Sequence, residues 1–380
     1  MNNLININSI KIQNRRIVFK HIERNDNIPR NELAALSQVS LGTVSTILEE
    51  FSQQGIISEV KDERSTVGRK PNLIHLIPKA KKIISIEMTS VYFSFEIQDL
   101  QFVRYTGENM PYNHAFDFQK NLEILGKKIN ECLQNNGIVI KDVIGVGVSV
   151  PGHYRWEEDR IVKTIFTEFL AQHVKEYLEK YFSLRVLVKN SIRLATSAEI
   201  ESLNDYEDKI IKYIYLGDEV GGALVTKGEV YSGARGFAGD IGQLIVDGTS
   251  TLEEKVSWRN FIAQLPELMG LAPEKIQSEI LTRFVDKEPR VYALVMDVCR
   301  YLAKGITEVF WLLDPHCIML SGKYNFLGES FIEHIRSELR TLLQPDLTAD
   351  LCITFSTFHE RATLIGAGKM VRDFWIRHLN

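Results

Sequence analysis

The sequence predicts an α/β protein that opens with a winged helix-turn-helix. Two observations carry this expectation. Three short helical patterns and then two strand patterns fill residues 14–77, and beyond Pro78 buried strand patterns alternate with helical ones as far as a closing helix.

In the N-terminal segment the first helix places Ile17, Val18 and Ile22 on one side and stops near Asn25-Asp26-Asn27. A second begins after Pro29, a residue suited to a helix start, with Leu33, Ala34 and Leu36 inward. A third follows Ser40, a good N-cap, with Val44, Ile47, Leu48 and Phe51 at core spacing and Gly55 where it should stop. That apolar face is used against the first two helices. The outer side of the N-terminal turns then presents Ser40, Leu41, Thr43, Ser45 and Thr46, short enough to bring the backbone close to base edges in a major groove. Residues 56–60 (IISEV) and 71–77 (PNLIHLI) read as the strands of a hairpin, and the polar segment KDERSTVGRK between them as a wing with Arg69 and Lys70 at its base. A small packing or dimerisation module is the plain alternative for any three-helix unit; the basic wing in the right order favours double-stranded DNA.

In the body, residues 81–98 predict a hairpin, and 143–154 a buried strand running into a Pro-Gly turn. Residues 184–200 predict a strand leading into a helix, and 210–233 a strand, a tight Gly-Gly turn and a second strand. GFAGDIGQ (236–243), VFWLLDPHCIMLSGKY (309–324) and a helix around LIGAGKMV (364–371) complete the pattern.

At 380 residues with 44% hydrophobic and 25% charged side chains, the chain has the composition of an ordinary globular protein with two or three domains. No run of eighteen apolar residues occurs, and MNNLININSIKIQNRR lacks the apolar stretch of a signal peptide, which predicts a cytoplasmic protein with no membrane partner. Residues 1–80 hold 11 Lys and Arg against 8 Asp and Glu, the remainder 34 against 41, so a mildly basic head precedes an acidic body. Cys132, Cys299, Cys317 and Cys352 form no CxxC pair, which predicts buried reduced thiols instead of a disulfide framework or thiolate metal site.

The order of these segments resembles the ROK family of repressors and sugar kinases. The resemblance runs from GRKPNLIHL in the winged helix, which matches that family's GR-x-P-x-x-L-x-L, to the C-terminal helix. It implies a two-lobed actin-like sugar-kinase fold behind the head. The domains expected from it are residues 1–80, a first lobe at 81–203 with the C-terminal helix 361–380, and a second lobe at 204–360.

The kinase motifs of the family are altered in three places. Its phosphate-binding D-x-G-G-T is Glu87, Met88, Thr89, Ser90, Val91 here, so side chains replace the glycines that let backbone amides approach phosphates. Its second phosphate loop, G-T-G-x-G-G, is Gly217, Asp218, Glu219, Val220, Gly221, Gly222, with two carboxylates where nucleotide charge would sit. Its E-N-D-x-N, whose Asp is the catalytic base, is Lys189, Asn190, Ser191, Ile192, Arg193, and a serine hydroxyl cannot take that proton unaided. The zinc motif, G-H followed by C-x-C-G-x-x-G-C, is Gly242-Gln243 and LIVDGTSTLEE, which holds no His or Cys. No catalytic residue, metal or cofactor is therefore expected, and the loop that zinc would order is left to packing or to an effector.

Sugar-site candidates carried over from the family motifs are Gly152, Asn190, Arg193, Asp240, Gln243 and Glu253, each with a structural alternative such as a cap or a solvated charge. Two roles fit Arg193: meeting an anionic group of an effector, or pairing with Asp218 or Glu219. The resemblance implies a transcriptional regulator of carbohydrate-metabolism genes, acting as a repressor and gated by a sugar or sugar derivative. It would bind a palindromic operator as a homodimer or dimer of dimers. The competing expectations are a divergent sugar kinase and a regulator that senses a protein partner.

Overall fold

Apolar side chains at helical spacing build the first eighty residues. Helix α1 (Ile7–Arg24) buries Val18, Phe19 and Ile22, α2 (Arg30–Ser37) buries Leu33, and α3 (Leu41–Gln53) buries Val44, Ile47, Leu48 and Phe51. Gly55, just beyond α3, has φ 71°, which favours glycine. Strands β1 (Ile28–Pro29), β2 (Ile57–Lys61) and β3 (Asn72–Leu76) form an antiparallel sheet in the order β1-β3-β2, with Ile57 opposite Leu76. Two details differ from expectation. Helix α1 starts at Ile7 and turns Phe19 inward, leaving Ile17 half-buried; Leu36 is 45% exposed, because Leu33 and Ser37, one turn apart, take the inner face of the short α2.

The computed structural model describes residues 7–61, 72–155, 157–164, 166–170, 172–203 and 206–379. The wing, with Arg69 and Lys70, lies outside the described residues. The chain divides into two compact units, Met1–Asn190 with Ala367–Asn380, and Ser191–Gly366.

In the first unit the head is followed by β4 (Lys82–Met88), β5 (Tyr92–Gln98), β6 (Arg104–Pro111), α4 (Phe118–Asn135) and β7 (Val143–Val150). A small hairpin, β8 (His153–Arg155) and β9 (Arg160–Lys163), then leads to α5 (Val174–Phe182) and β10 (Val186–Asn190). The five-stranded sheet runs β10-β7-β4-β5-β6, with β10, β7 and β4 parallel and β4, β5 and β6 antiparallel. Strand β7, VIGVGVSV, is buried nearly throughout, as its apolar run requires of a central parallel strand.

The second unit opens with α6 (Ser191–Glu199), followed by β11 (Ile211–Leu216), β12 (Val220–Thr226) and β13 (Glu229–Tyr231). The hairpin β14 (Ile245–Asp247) and β15 (Ser250–Thr251) precedes α7 (Leu252–Val256), α8 (Trp258–Ile262), α9 (Pro273–Val285) and α10 (Pro289–Leu313). Then come β16 (Cys317–Gly322), α11 (Gly328–Leu342), α12 (Pro345–Thr348), β17 (Cys352–Phe355) and α13 (Ala362–Arg377), whose first turn belongs to this unit and the rest to the first. The sheet order is β13-β12-β11-β16-β17. Helix α6 packs on β12 and β13, so residues 191–203 lie with the second unit, where the sequence had set the first lobe's end at 203. Gly221 and Gly222 lie inside β12 and the turn is Gly217-Asp218-Glu219, because Gly222 pairs with Ile214 across the ladder. Cys352 is exposed, unlike the other three thiols, since it opens an edge strand.

Helix α13 fastens the head to the first unit's sheet. Val18, Phe19, Ile22, Leu33 and Phe51 share one apolar cluster with Ile83 and Leu100 of the body and with Val371, Ile376 and Leu379 at the chain's end. At its centre Arg372 is 2% exposed. Its Nη1 donates to Glu23 of α1 and to the Leu100 carbonyl at 2.9 Å, and its guanidinium lies over the Phe102 ring at 4.4 Å. Arg15 of α1 adds a second tie, donating through Nε to Glu50 of α3 at 2.6 Å and through Nη1 to the Arg377 carbonyl at 3.2 Å.

Candidate functional site

Two regions gather the candidate residues, and the first is the outer surface of α3. Ser40 caps the helix: its Oγ accepts from the Thr43 amide at 3.2 Å and lies 2.8 Å from the Thr43 hydroxyl. Leu41 and Thr46 are exposed, Thr43 and Ser45 half-buried. The Ser45 and Thr46 hydroxyls donate to the carbonyls of Leu41 and Gly42 at 2.9 and 3.3 Å, which leaves their oxygens able to accept. Replacing Ser40 by Ala is expected to cost about 1 kcal/mol through an unsatisfied first turn. Urea denaturation checks this, and an unchanged midpoint would assign the cap no role in stability.

Sequence reasoning missed Arg30. It lies at the start of α2 and donates through Nη1 to Ser45 at 3.2 Å and through Nη2 to Glu59 of β2 at 2.7 Å, while Asn72 of β3 also donates to Glu59 at 3.0 Å. The Glu59 carboxyl is held below its ordinary value, chiefly by the Asn72 hydrogen bond, with burial opposing and Arg30 assisting. Arg30 thereby registers the exposed face of α3 against the strands that carry the wing. The basic residue after Pro29 was the available signal, but nothing local names its partners.

In the first unit, the Asn190 side-chain amide donates to the Gly152 carbonyl, so these two candidates are brought together. Gly152 has φ 80°, and a Cβ there would stand 2.1 Å from the Lys163 carbonyl oxygen; no other residue fits the turn. The turn between β4 and β5, the position of the family's phosphate-binding glycines, is closed on itself. The Thr89 hydroxyl accepts from the amides of Tyr92 and Val91 at 3.0 and 3.3 Å and donates to the Tyr92 carbonyl at 2.9 Å. The Thr89 amide, at the first of the two former glycine positions, donates to the Tyr92 carbonyl at 2.9 Å and so is already paired.

In the second unit, Arg193 projects from α6 into the loop that follows β13. Its Nη1 donates to the Tyr231 carbonyl at 3.1 Å, and its Nη2 to the carbonyls of Gly236 and Ala238 at 2.7 and 3.2 Å. Neither an effector anion nor Asp218 or Glu219 is needed to account for its position, because loop carbonyls take its donors. Burial pulls the guanidinium below its ordinary value, with Asp240 opposing. Asp240 ends this loop, its Oδ1 accepting from the Gly242 amide at 3.2 Å. Glu253 at the start of α7 accepts from the Val220 amide at 2.8 Å, and its own amide donates to the Gly242 carbonyl at 2.9 Å. Asp240 and Glu253 therefore converge on Gly242, where a Cβ would come within 2.1 Å of the Val220 oxygen. Gln243 is next to them and exposed.

Lys212 of β11 was not singled out from the sequence. Its Nζ donates to the Gly239 carbonyl beneath the loop, a place open only because Gly222 has no side chain: a Cβ there would be 2.6 Å from Nζ. Burial pushes the amine down to about 7, with Asp240 opposing and Arg193 reinforcing. Between that value and its ordinary 10.5 the unfolded chain binds a proton that the folded chain does not, so stability rises with pH through this window. The protein is expected to gain stability over Lys212→Met between about pH 7 and 9, by up to about 1.4 kcal/mol per pH unit. Parallel stability curves for the two proteins would show that the amine does not titrate there.

The residues do not fit the zinc that the resemblance implies, since residues 243–254 supply no imidazole or thiolate. Among the described residues no cluster of three His, Cys, Asp or Glu could hold a metal. The segment is instead shaped by the β14–β15 hairpin, by a Thr251–Glu254 capping box, and by Asp247, which meets Lys255 and the Tyr301 hydroxyl at 3.0 Å each. Polar contacts therefore order a loop that was expected to rely on packing or an effector.

A winged helix-turn-helix on an actin-like sugar-kinase body, with its phosphate turn closed, defines a class of protein built to bind and not to phosphorylate. The profile of the ROK family matches residues 106–374, and the chain belongs to that family. A xylose repressor from Caldicellulosiruptor bescii is 22% identical over 95% of this chain and 96% of its own. A crystal structure of a ROK family transcriptional regulator, a homolog of E. coli MLC protein, superposes with a TM-score of 0.83 at 20% identity, over 97% of this chain and 98% of that one. A ROK glucokinase from Streptomyces griseus, in complex with glucose and AMPPNP, matches at a TM-score of 0.63 and 17% identity over 76% of this chain and 98% of its own.

Proposed function

We propose that the chain is a cytoplasmic DNA-binding transcriptional regulator, acting as a repressor of carbohydrate-metabolism genes and responding to a sugar or sugar derivative. The closed Thr89 turn on a chain that begins with a winged helix is the observation that carries this reading. Helix α3 enters the major groove, with Ser40, Leu41, Thr43, Ser45 and Thr46 toward the bases, and Arg69 and Lys70 meet phosphates from the wing. A homodimer or dimer of dimers matches a palindromic operator. The effector is held by side chains around Gly242, namely Asp240, Glu253 and Gln243, with Arg193 ordering the loop beside them; Gly152 and Asn190 are the first unit's candidates. A sugar or sugar derivative that binds one DNA-binding arrangement better than the other shifts operator affinity by that difference. Among the described residues no helix is long and apolar enough to cross a membrane.

Selection of bound duplexes from a random library, followed by titration with pentoses, hexoses, sugar acids and sugar phosphates, tests this. Enrichment of a palindrome whose binding one sugar alters is expected, with no phosphate transferred from ATP. Failure to enrich any duplex would overturn the DNA-binding reading, and ATP turnover with a sugar acceptor would restore the kinase.

A further inference from the structure

Four cysteines scattered along the sequence give no hint of a pair, yet sheet topology makes one. Strands β16 and β17 are parallel neighbours, and their first residues, Cys317 and Cys352, are direct register partners. Register partners point to the same face, and strands spaced at about 4.8 Å bring their Cα atoms within the roughly 4.4–6.8 Å span that a disulfide tolerates. One partner is accessible and the other is not: Cys352 is exposed at the sheet edge, whereas Cys317 is 3% exposed in the cluster with Ile211, Tyr213 and Met319.

We propose that Cys317 and Cys352 form a reversible dithiol–disulfide couple, with Cys352 as the thiol attacked first by hydroperoxides and Cys317 as the resolving thiol. The surroundings suit these roles. The Cys352 thiol is held below its ordinary value by the hydrogen bond with Cys317, with burial opposing and the Arg336 and Lys209 charges assisting. Cys317 is pushed up by the same hydrogen bond and by burial. Arg336 donates to the carbonyl of the neighbouring Ile353 at 3.0 Å and also pairs with Glu329 at 2.9 Å and with Glu333, so its charge near residue 352 is shared with two carboxylates. The other two thiols lack this setting: Cys132 and Cys299 are buried and both are raised, first by burial.

The chemistry takes two steps. The Cys352 thiolate attacks a peroxide oxygen, forming an S–O bond as the O–O bond breaks; sulfur is oxidised, the peroxide is reduced, and the departing oxygen takes a proton and leaves as water from hydrogen peroxide or as the alcohol from an organic hydroperoxide. The Cys317 sulfur then attacks the Cys352 sulfur, forming S–S as the S–O bond breaks, and the hydroxyl leaves as water with the Cys317 proton. A dithiol reductant reverses the couple by thiol–disulfide exchange. A bond across adjacent strands is of the accessible kind that reductants open.

The test treats the full-length protein with hydrogen peroxide and reads intact mass, with dimedone as the sulfenic-acid probe. Wild type is expected to lose two hydrogens, to return its original mass with dithiothreitol, and to yield a peptide linking 317 to 352. Cys317→Ser is expected to accumulate a dimedone adduct at residue 352, and Cys352→Ser to show neither change. Loss of two hydrogens in Cys352→Ser, disulfide-linked dimers as the main product, or iodoacetamide labelling of Cys352 no faster than of Cys132 and Cys299 would overturn the proposal.

Discussion

Replacing Arg372 with Met is expected to destabilise the protein by about 3–5 kcal/mol and to loosen the winged helix from the body. The guanidinium is almost wholly buried, and it satisfies three groups at once: the Glu23 carboxylate on α1, the Leu100 carbonyl, and Asp373, whose Oδ1 accepts at 3.3 Å. Removing it takes one partner from the partly exposed Glu23 carboxylate and takes the donor from the buried Leu100 carbonyl. The desolvation cost of these groups, more than the lost attraction, sets the size of the effect. The Phe19 and Phe102 rings that flank the guanidinium at 5.2 and 4.4 Å lose a contact as well. Denaturant midpoints measure the stability, and hydrogen exchange along α1 measures the docking. Faster exchange confined to the head would identify Arg372 as the residue that couples α13 to it; unchanged exchange would show that the apolar cluster alone suffices.

Replacing Arg193 with Ala is expected to lower stability by about 2–3 kcal/mol and sugar affinity by about tenfold or more. One planar group spans carbonyls from Tyr231 to Ala238 and so holds a loop that has almost no regular structure of its own. Without it the loop loses that anchor, and the sugar proposed to bind beside it would have to order the loop, at about 1–2 kcal/mol per residue fixed. Arg193→Lys should not rescue, because a single ammonium cannot reach carbonyls on both sides of the loop. Thermal denaturation and sugar titration of the two variants check this. An unchanged affinity for the sugar that alters operator binding would remove the loop from the effector site.

The local pattern of the chain was legible. Val44, Ile47, Leu48 and Phe51 declared the inner face of α3, and Ser40 its start, because a helix repeats its faces every three or four residues whatever it packs against. The altered phosphate and zinc motifs were readable for the same reason: each is a short run whose chemistry depends on which side chains it contains. The tertiary structure alone decided which distant groups meet. Arg372 and Glu23 are 349 residues apart, Arg193 finds its carbonyls about forty residues on, and Cys317 meets Cys352 only because β17 returns beside β16. Periodicity states which face of an element is apolar, but the order of strands in a sheet and the docking of a terminal helix come from burial summed over the whole chain, which no local window contains.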